Sequence, residues 1–351
     1  MLYQTPNPHG GDIYTDDIEL DFSASINPLG TPPGVLEAMK SALERSAVYP
    51  DPYCHRAVQA ISGHEKIPGD CILMGNGAAE LIYAYCSSIS PAKTLLFSPT
   101  FSEYETALKN CKSTVMRHEL DAGNGFRPDE DFLISIQKYH PDAVFLCNPN
   151  NPTGLLMDPG LLERMITLCG KGGIRLFIDE CFLDLCENGK SAAGSVRKYP
   201  NLFILKAFTK TYALAGIRIG YGMTSDRELL RRMSACSQPW NLSVIAQAAA
   251  EAALQESGYL AESRELISRE REWLFGRLKD LHLSPIPSDA NFLLFHGPAD
   301  LAEKLRKKGI AVRDCSNFAG LEKGWYRAAV RQHDENEKLI SAMAQILKER
   351  A

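Results

Sequence analysis

The chain has 351 residues, 45% of them hydrophobic and 23% charged, with a net charge of −5. That length allows a large domain with a smaller satellite and a substantial core. The absence of a basic block argues against a nucleic-acid platform, and no apolar run reaches the length of a membrane span.

The polar start "MLYQTPNPHGGD" lacks the apolar core of a signal peptide, so a cytosolic protein is expected. Residues 1–34, rich in Pro, Gly and Asn, read as an irregular arm. From there helical stretches alternate with short apolar runs: "CILMG" (71–75), "TLLFSP" (94–99), "AVFLCNP" (143–149), "IRLFIDE" (174–180) and "LFILKAF" (202–208). Such runs imply parallel strands buried on both faces, hence an α/β doubly wound layer. Gly75-Asn76-Gly77, Pro99-Thr100-Phe101, Asn148 to Gly154, Asp179-Glu180 and Thr209-Lys210 all follow a strand's C-terminal end. Open α/β sheets bind ligands there.

Residues 243–281 read as mostly helical. The tail reads strand (291–296), helix (300–308), strand (310–313), strand (325–331) and helix (334–348). This pattern predicts a small α+β domain, residues 261–351 with the arm 1–36, beside a large α/β domain over 37–260. The ten cysteines are scattered, Cys181 and Cys186 being the closest pair, with no CxxC or Cys/His zinc spacing. Reduced core thiols and no metal site are expected.

"GNGAAELI" follows a strand and opens a helix, so its glycines allow close backbone approach and its first N–H groups can receive an anion. A plain tight turn reads the same way. Thr209 and Arg218, in "AFTKTYALAGIRIGYG", would add a hydroxyl and a guanidinium to the same phosphate, although Arg218 also suits a surface ion pair. "CNPNNPTG" is the most specific string: its X-Pro steps force a sharply turned backbone that can aim Asn151 as a donor. Asp179, at the end of a buried strand, needs a cationic partner such as a protonated ring nitrogen, or serves as a helix N-cap.

A phosphate cradle, an Asp for a ring nitrogen, an Asn for a ring hydroxyl and a lysine for an aldehyde describe pyridoxal 5′-phosphate. On these motifs the chain resembles, over essentially its whole length, the fold-type I pyridoxal-phosphate enzymes of the aminotransferase class I/II group. The resemblance implies that Lys210 carries the cofactor, with Thr209, Arg218 and the Gly75, Asn76, Gly77 backbone on its phosphate. It places Phe101 on the ring, Asn151 on O3′ and Asp179 on the pyridine nitrogen. It gives Tyr49, in "VYPDPY", the part of a tyrosine lent across a homodimer interface to the neighbour's phosphate. Arg331, in "YRAAVR", matches the arginine that binds a substrate anion.

Two branches of the group compete. "HGGD" (9–12), "DFSASINPLG" (21–30), "PWNLS" (239–243) and "RDCSNFAGL" (313–321) are similar to decarboxylases of O-phospho-L-threonine in cobalamin synthesis. Histidinol-phosphate aminotransferases share the cofactor apparatus. Phe182 stands where many aminotransferases have tyrosine, which favours the decarboxylases. Ala207 replaces a serine of the phosphate cup, and Asp12 stands where the decarboxylase pattern has Asn. A small phosphorylated amino acid is therefore the expected substrate, anchored by His9, Asn27, Leu29, Gly30, Arg313 and Arg331.

Overall fold

The structure is a computed structural model and describes residues 9–349; residues 1–8 of the expected arm lie outside the described residues. The first strands in chain order are β1 (Leu20–Asp21), β2 (Ile72–Gly75), β3 (Lys93–Ser98) and β4 (Thr114–Glu119). Next come β5 (Ala143–Cys147), β6 (Arg175–Asp179), β7 (Leu202–Ala207) and β8 (Gly220–Met223). The C-terminal part adds β9 (Ser284–Pro285), β10 (Phe292–His296), β11 (Ile310–Ala311), β12 (Arg313–Asp314) and β13 (Trp325–Ala329).

A seven-stranded sheet in the order β2-β8-β7-β6-β5-β3-β4 carries the fold. Every neighbouring pair is parallel except the two that β8 makes, with β2 and β7. The apolar runs are continuous because both faces are covered. Val144, Leu146, Leu176, Ile178, Leu202 and Ile204 enter one core, while Phe145, Phe177, Phe203 and Leu205, alternating with them, enter another. Phe145 stacks on Phe177 with centroids 4.6 Å apart, and Phe177 on Phe203 at 5.4 Å. Each buried ring contributes about 1.5–3 kcal/mol. A Cβ at position 222 of β8 would come 2.1 Å from Phe203 Cζ, so glycine there lets the ladder close.

Two strands of this sheet were not expected. β4, "TVMRHE", is a half-exposed edge strand without an apolar run, and β8, "GYGM", is masked by its glycines. The predicted helical stretch is two helices, Val244–Ala253 and Tyr259–Asp280, with Gly258 at φ 82° before the second.

A four-stranded sheet, β12-β13-β10-β9, is antiparallel throughout. The tail strand expected over 310–313 divides around Val312: β12 joins this sheet, whereas β11 pairs in parallel with β1. The arm is fastened further by Ala329 N donating to Phe22 O (2.8 Å) and by Asn291 Nδ2 donating to Ser25 O (3.1 Å). Among the described residues no helix is long and apolar enough to cross a membrane.

Candidate active site

A cavity of about 220 Å³ opens along the edge of the large sheet where the parallel strands end. Cys147, Asp179 and Ala207, the last residues of β5, β6 and β7, line it. Thr209 and Lys210 lie in the short helix Phe208–Thr211 that continues β7. β8 explains the offset from Thr209 to Arg218. Because it runs antiparallel, its first residue Gly220 pairs with both Ala207 and Gly75, bringing Arg218 to the same edge. The small sheet closes the other side with Arg313 and Arg327.

Lys210 is half-buried and faces the cavity. Desolvation, then the nearby Arg327 charge, lowers its amine to about 8. The Asp179 carboxyl is pushed up by burial, a trend opposed by its two donors. These are Tyr104 Oη at 2.7 Å from Oδ2 and the Cys181 amide at 2.9 Å from Oδ1. No cation of the described residues is within ion-pair distance of it. Asn151, buried after β5, accepts a hydrogen bond from Arg327 Nη1 on Oδ1, which leaves Nδ2 as its donor.

Arg313 and Arg327 face each other across β12 and β13 in direct register. Both are buried, and neither has a carboxylate within ion-pair distance among the described residues. Arg327 is lowered to about 10, mainly by burial, with Arg313 among the further causes. Like charges directly opposite on a sheet are destabilising. Here the polar contacts made instead are to Ser23 O and Asn151 from Arg327, and to Asn317 Oδ1 (2.7 Å) and Asp314 O from Arg313. The pair suits anions brought by a ligand.

Residues 17–343 match the family described as aminotransferase class I and II. The chain belongs to that family. It is 33% identical to threonine-phosphate decarboxylase of Salmonella typhimurium, over 97% of this chain and 96% of that protein. It is 30% identical to histidinol-phosphate aminotransferase of Bdellovibrio bacteriovorus, over 93% of this chain and 90% of that one. The solved structure of histidinol-phosphate aminotransferase from Clostridium acetobutylicum matches with a TM-score of 0.87 at 32% identity, covering 94% of this chain and 99% of that chain.

The cofactor of the family is pyridoxal 5′-phosphate, and the residues present fit it. A buried carboxylate with hydrogen-bond donors, but with no ion-paired cation among the described residues, is what a protonated ring nitrogen requires. The phosphate end fits equally well. A Cβ on Gly77 would sit 2.5 Å from Arg218 Nη2, so glycine makes room for that guanidinium beside the start of helix Gly77–Ile89.

Not every expected residue reaches the cavity. Gly75, Asn76 and Gly77 do not line it. Ala78 and Ala79, in the first turn of the following helix, do, and the Asn76 amide is taken by Glu80 Oε2 at 2.6 Å. Asn27 lies off the cavity: Nδ2 donates to Thr211 O and Ser263 Oγ, both at 2.8 Å, and Oδ1 accepts from Leu29 N. Leu29 and Gly30 also lie off the cavity, Gly30 O accepting from Tyr259 Oη. Arg331 is the clearest correction. It lies beyond the end of β13, gives Nε and Nη2 to Glu335 Oε1 and Nη1 to Asp21 O, and is spent on holding the arm. Arg327, in the same "YRAAVR", lines the cavity instead.

His9, Phe101, Phe182 and Thr209 all line the cavity with Lys210. Tyr49 does not. It is 75% exposed and stacks on Trp240, 4.6 Å away. Asp12 turns outward, where its carboxylate accepts from Thr15 and Tyr14 and is thereby lowered, so it brings no charge to the cavity. Sequence reasoning missed Tyr104, Arg327 and the Ala78-Ala79 turn. Tyr104 stands one helical turn after Phe101, and that spacing was the available signal.

Proposed function

We propose that the protein decarboxylates O-phospho-L-threonine to (R)-1-amino-2-propanol phosphate and CO2, or a close phosphorylated amino acid such as phosphoserine to its own amine phosphate and CO2. The observation that carries this reading is the Arg313–Arg327 pair, buried, in register and, among the described residues, without a carboxylate within ion-pair distance. With Arg218 on the cofactor phosphate, two guanidinium groups remain, one for each anion of a phosphorylated amino acid. Arg327, bonded to Asn151 and close in charge to Lys210, suits the carboxylate. Arg313, against Phe318 with the guanidinium carbon 5.1 Å from the ring centroid, suits the phosphate.

Bound pyridoxal phosphate would supply the electron sink for the bond broken at Cα. Asp179 keeps a positive charge beside its carboxylate, Phe101 and Phe182 exclude water, and Asn151 fixes the ring's orientation. Lys210, with its amine lowered to about 8, can hold the proton that returns to Cα after CO2 leaves.

The active unit of this reading is a homodimer. Its support is Tyr49, which does not line its own chain's cavity and is exposed, as are Leu36, Leu43, Val48, Tyr53 and Trp240. A second copy covering this face would bring Tyr49 to the neighbour's cofactor phosphate. The reading also keeps residues 37–260 as the cofactor domain, with 1–36 and 261–351 as the smaller one.

Likeness to histidinol-phosphate aminotransferases favours a second reading, transamination. Incubation of the holoenzyme with phosphothreonine, and separately with histidinol phosphate plus 2-oxoglutarate, decides between them. Aminopropanol phosphate from the first and no glutamate from the second is the expected result. The reverse overturns the proposal.

A further inference from the structure

We propose that Glu103 is a positioning residue that holds His9 at the cavity mouth and thereby strengthens the preference for a phosphorylated substrate; this rests on the reading just given. The two residues are 94 positions apart, yet His9 Nε2 lies 2.8 Å from Glu103 Oε1. The other oxygen, Oε2, accepts from Tyr83 Oη at 2.9 Å. A chain of hydrogen bonds thus runs from helix Gly77–Ile89, through the first turn of helix Ser102–Asn110, to the N-terminal arm. A carboxylate in a helix's first turn is favoured by the peptide dipoles.

His9 lines the cavity beside Phe101, with ring centroids 5.8 Å apart, whereas Glu103 does not line it. The hydrogen bond to His9 is therefore the contact by which Glu103 reaches a residue of the cavity. The backbone at His9 is itself located. Gly11 N donates to Ser23 Oγ at 2.8 Å, and a Cβ on Gly10 would come 2.4 Å from Ser23 O, so the arm lies flat on the Ser23 backbone. With the backbone set by Ser23 and the ring set by Glu103, the imidazole is held at the rim of the cavity that contains Arg313. The side chains of His9 and Glu103 are 31% and 19% exposed, so the contact is only partly screened by solvent. Tyr83, from one side, fixes the carboxylate plane, and Glu103 fixes the ring.

A pair that merely fastened the arm would alter affinity for phosphorylated and unphosphorylated ligands alike. The test therefore reads a ratio. Apparent dissociation constants of the holoenzyme for O-phospho-L-threonine and L-threonine are measured by stopped flow, from the cofactor's absorbance change before turnover. Wild type, His9→Ala, Glu103→Ala, Glu103→Gln, Tyr83→Phe and the His9→Ala/Glu103→Ala double variant are compared. We expect His9→Ala and Glu103→Ala each to reduce the preference for the phosphorylated ligand ~10-fold, the scale of one charge-assisted hydrogen bond. The double variant should be no worse than His9→Ala. Glu103→Gln, which keeps an acceptor, should retain most of the preference, and Tyr83→Phe should lose less than Glu103→Ala. An unchanged ratio in Glu103→Ala, or losses that add in the double variant, would overturn the proposal. A wild-type enzyme without preference for phosphothreonine would instead overturn the substrate reading, and this inference with it.

Discussion

Gly77 lies directly against Arg218: the Cβ of any other residue would sit 2.5 Å from Nη2 and 2.9 Å from Cζ. Position 77 also has φ +77°, and Arg218 itself has φ 63°. Gly77→Ala therefore meets both a strained backbone and a displaced guanidinium. We expect a stability loss of about 1–2 kcal/mol and weaker cofactor retention, read by titrating the cofactor-free protein with pyridoxal phosphate. Unchanged affinity would show that Arg218 is not held by this contact.

Tyr104 is one of two donors to the Asp179 carboxylate. Tyr104→Phe should cost about 1.5–3 kcal/mol of support for the charged form, the value of a hydrogen bond to a charged group. On that scale kcat/KM falls roughly 10- to 100-fold. Asp179→Asn should be far worse, because the amide cannot stabilise a ring cation. Steady-state kinetics on the two variants checks the order, and equal losses would contradict it.

The two arginines of "YRAAVR" are expected to separate in function, because Arg327 lines the cavity and Arg331 is bonded to Glu335 and Asp21 O. Arg327→Lys should lower kcat/KM by ~100-fold or more, since an ammonium cannot reproduce the guanidinium fork. Arg331→Lys should leave kcat/KM nearly intact and cost about 0–1 kcal/mol of stability through its partly exposed pair with Glu335. Kinetics with denaturation curves on both variants tests the assignment; a catalytic collapse in Arg331→Lys alone would reverse it.

Lys210 gives a pH signature. Its folded pKa, about 8, is below the ordinary value of 10.5, so the folded cofactor-free chain binds fewer protons there than the unfolded chain between those values. Burying the charged amine destabilises the fold fully below about pH 8, and the penalty fades as pH rises toward 10.5. At about 1.36 kcal/mol per pKa unit the penalty is up to about 3 kcal/mol. Lys210→Met should therefore be inactive yet more stable than the cofactor-free wild type at pH 7, with the difference shrinking by pH 10. Thermal melts at the two pH values measure it, and a constant difference would contradict the linkage.

What the sequence made legible follows from where physical constraints are local. Strands β5, β6 and β7 announce themselves as apolar runs because both faces are buried, and Lys210, Asp179 and Asn151 stand at or just after their ends. Asp179 and Lys210 could be placed before any coordinates for that reason. Residues whose roles depend on pairing could not. β8 is antiparallel and glycine-rich, so nothing local shows that it returns Arg218 to the cavity. Arg327 and Arg331 occur in one string, and only the register of β13 against β12 distinguishes them. Asn27 looks like a ligand residue until its amide is seen to be fully used by Thr211, Ser263 and Leu29.

In the proposed reaction the bond broken in this cavity runs from Cα to the carboxylate. The most direct measurement follows carboxyl-13C O-phospho-L-threonine by NMR with the holoenzyme in D2O. The expected result is 13C-labelled CO2 and bicarbonate in step with aminopropanol phosphate carrying one deuterium at the former Cα, and a cofactor still in its aldehyde form after many turnovers. Retention of the label in a 2-oxo acid, with the cofactor converted to its amine form, would contradict it.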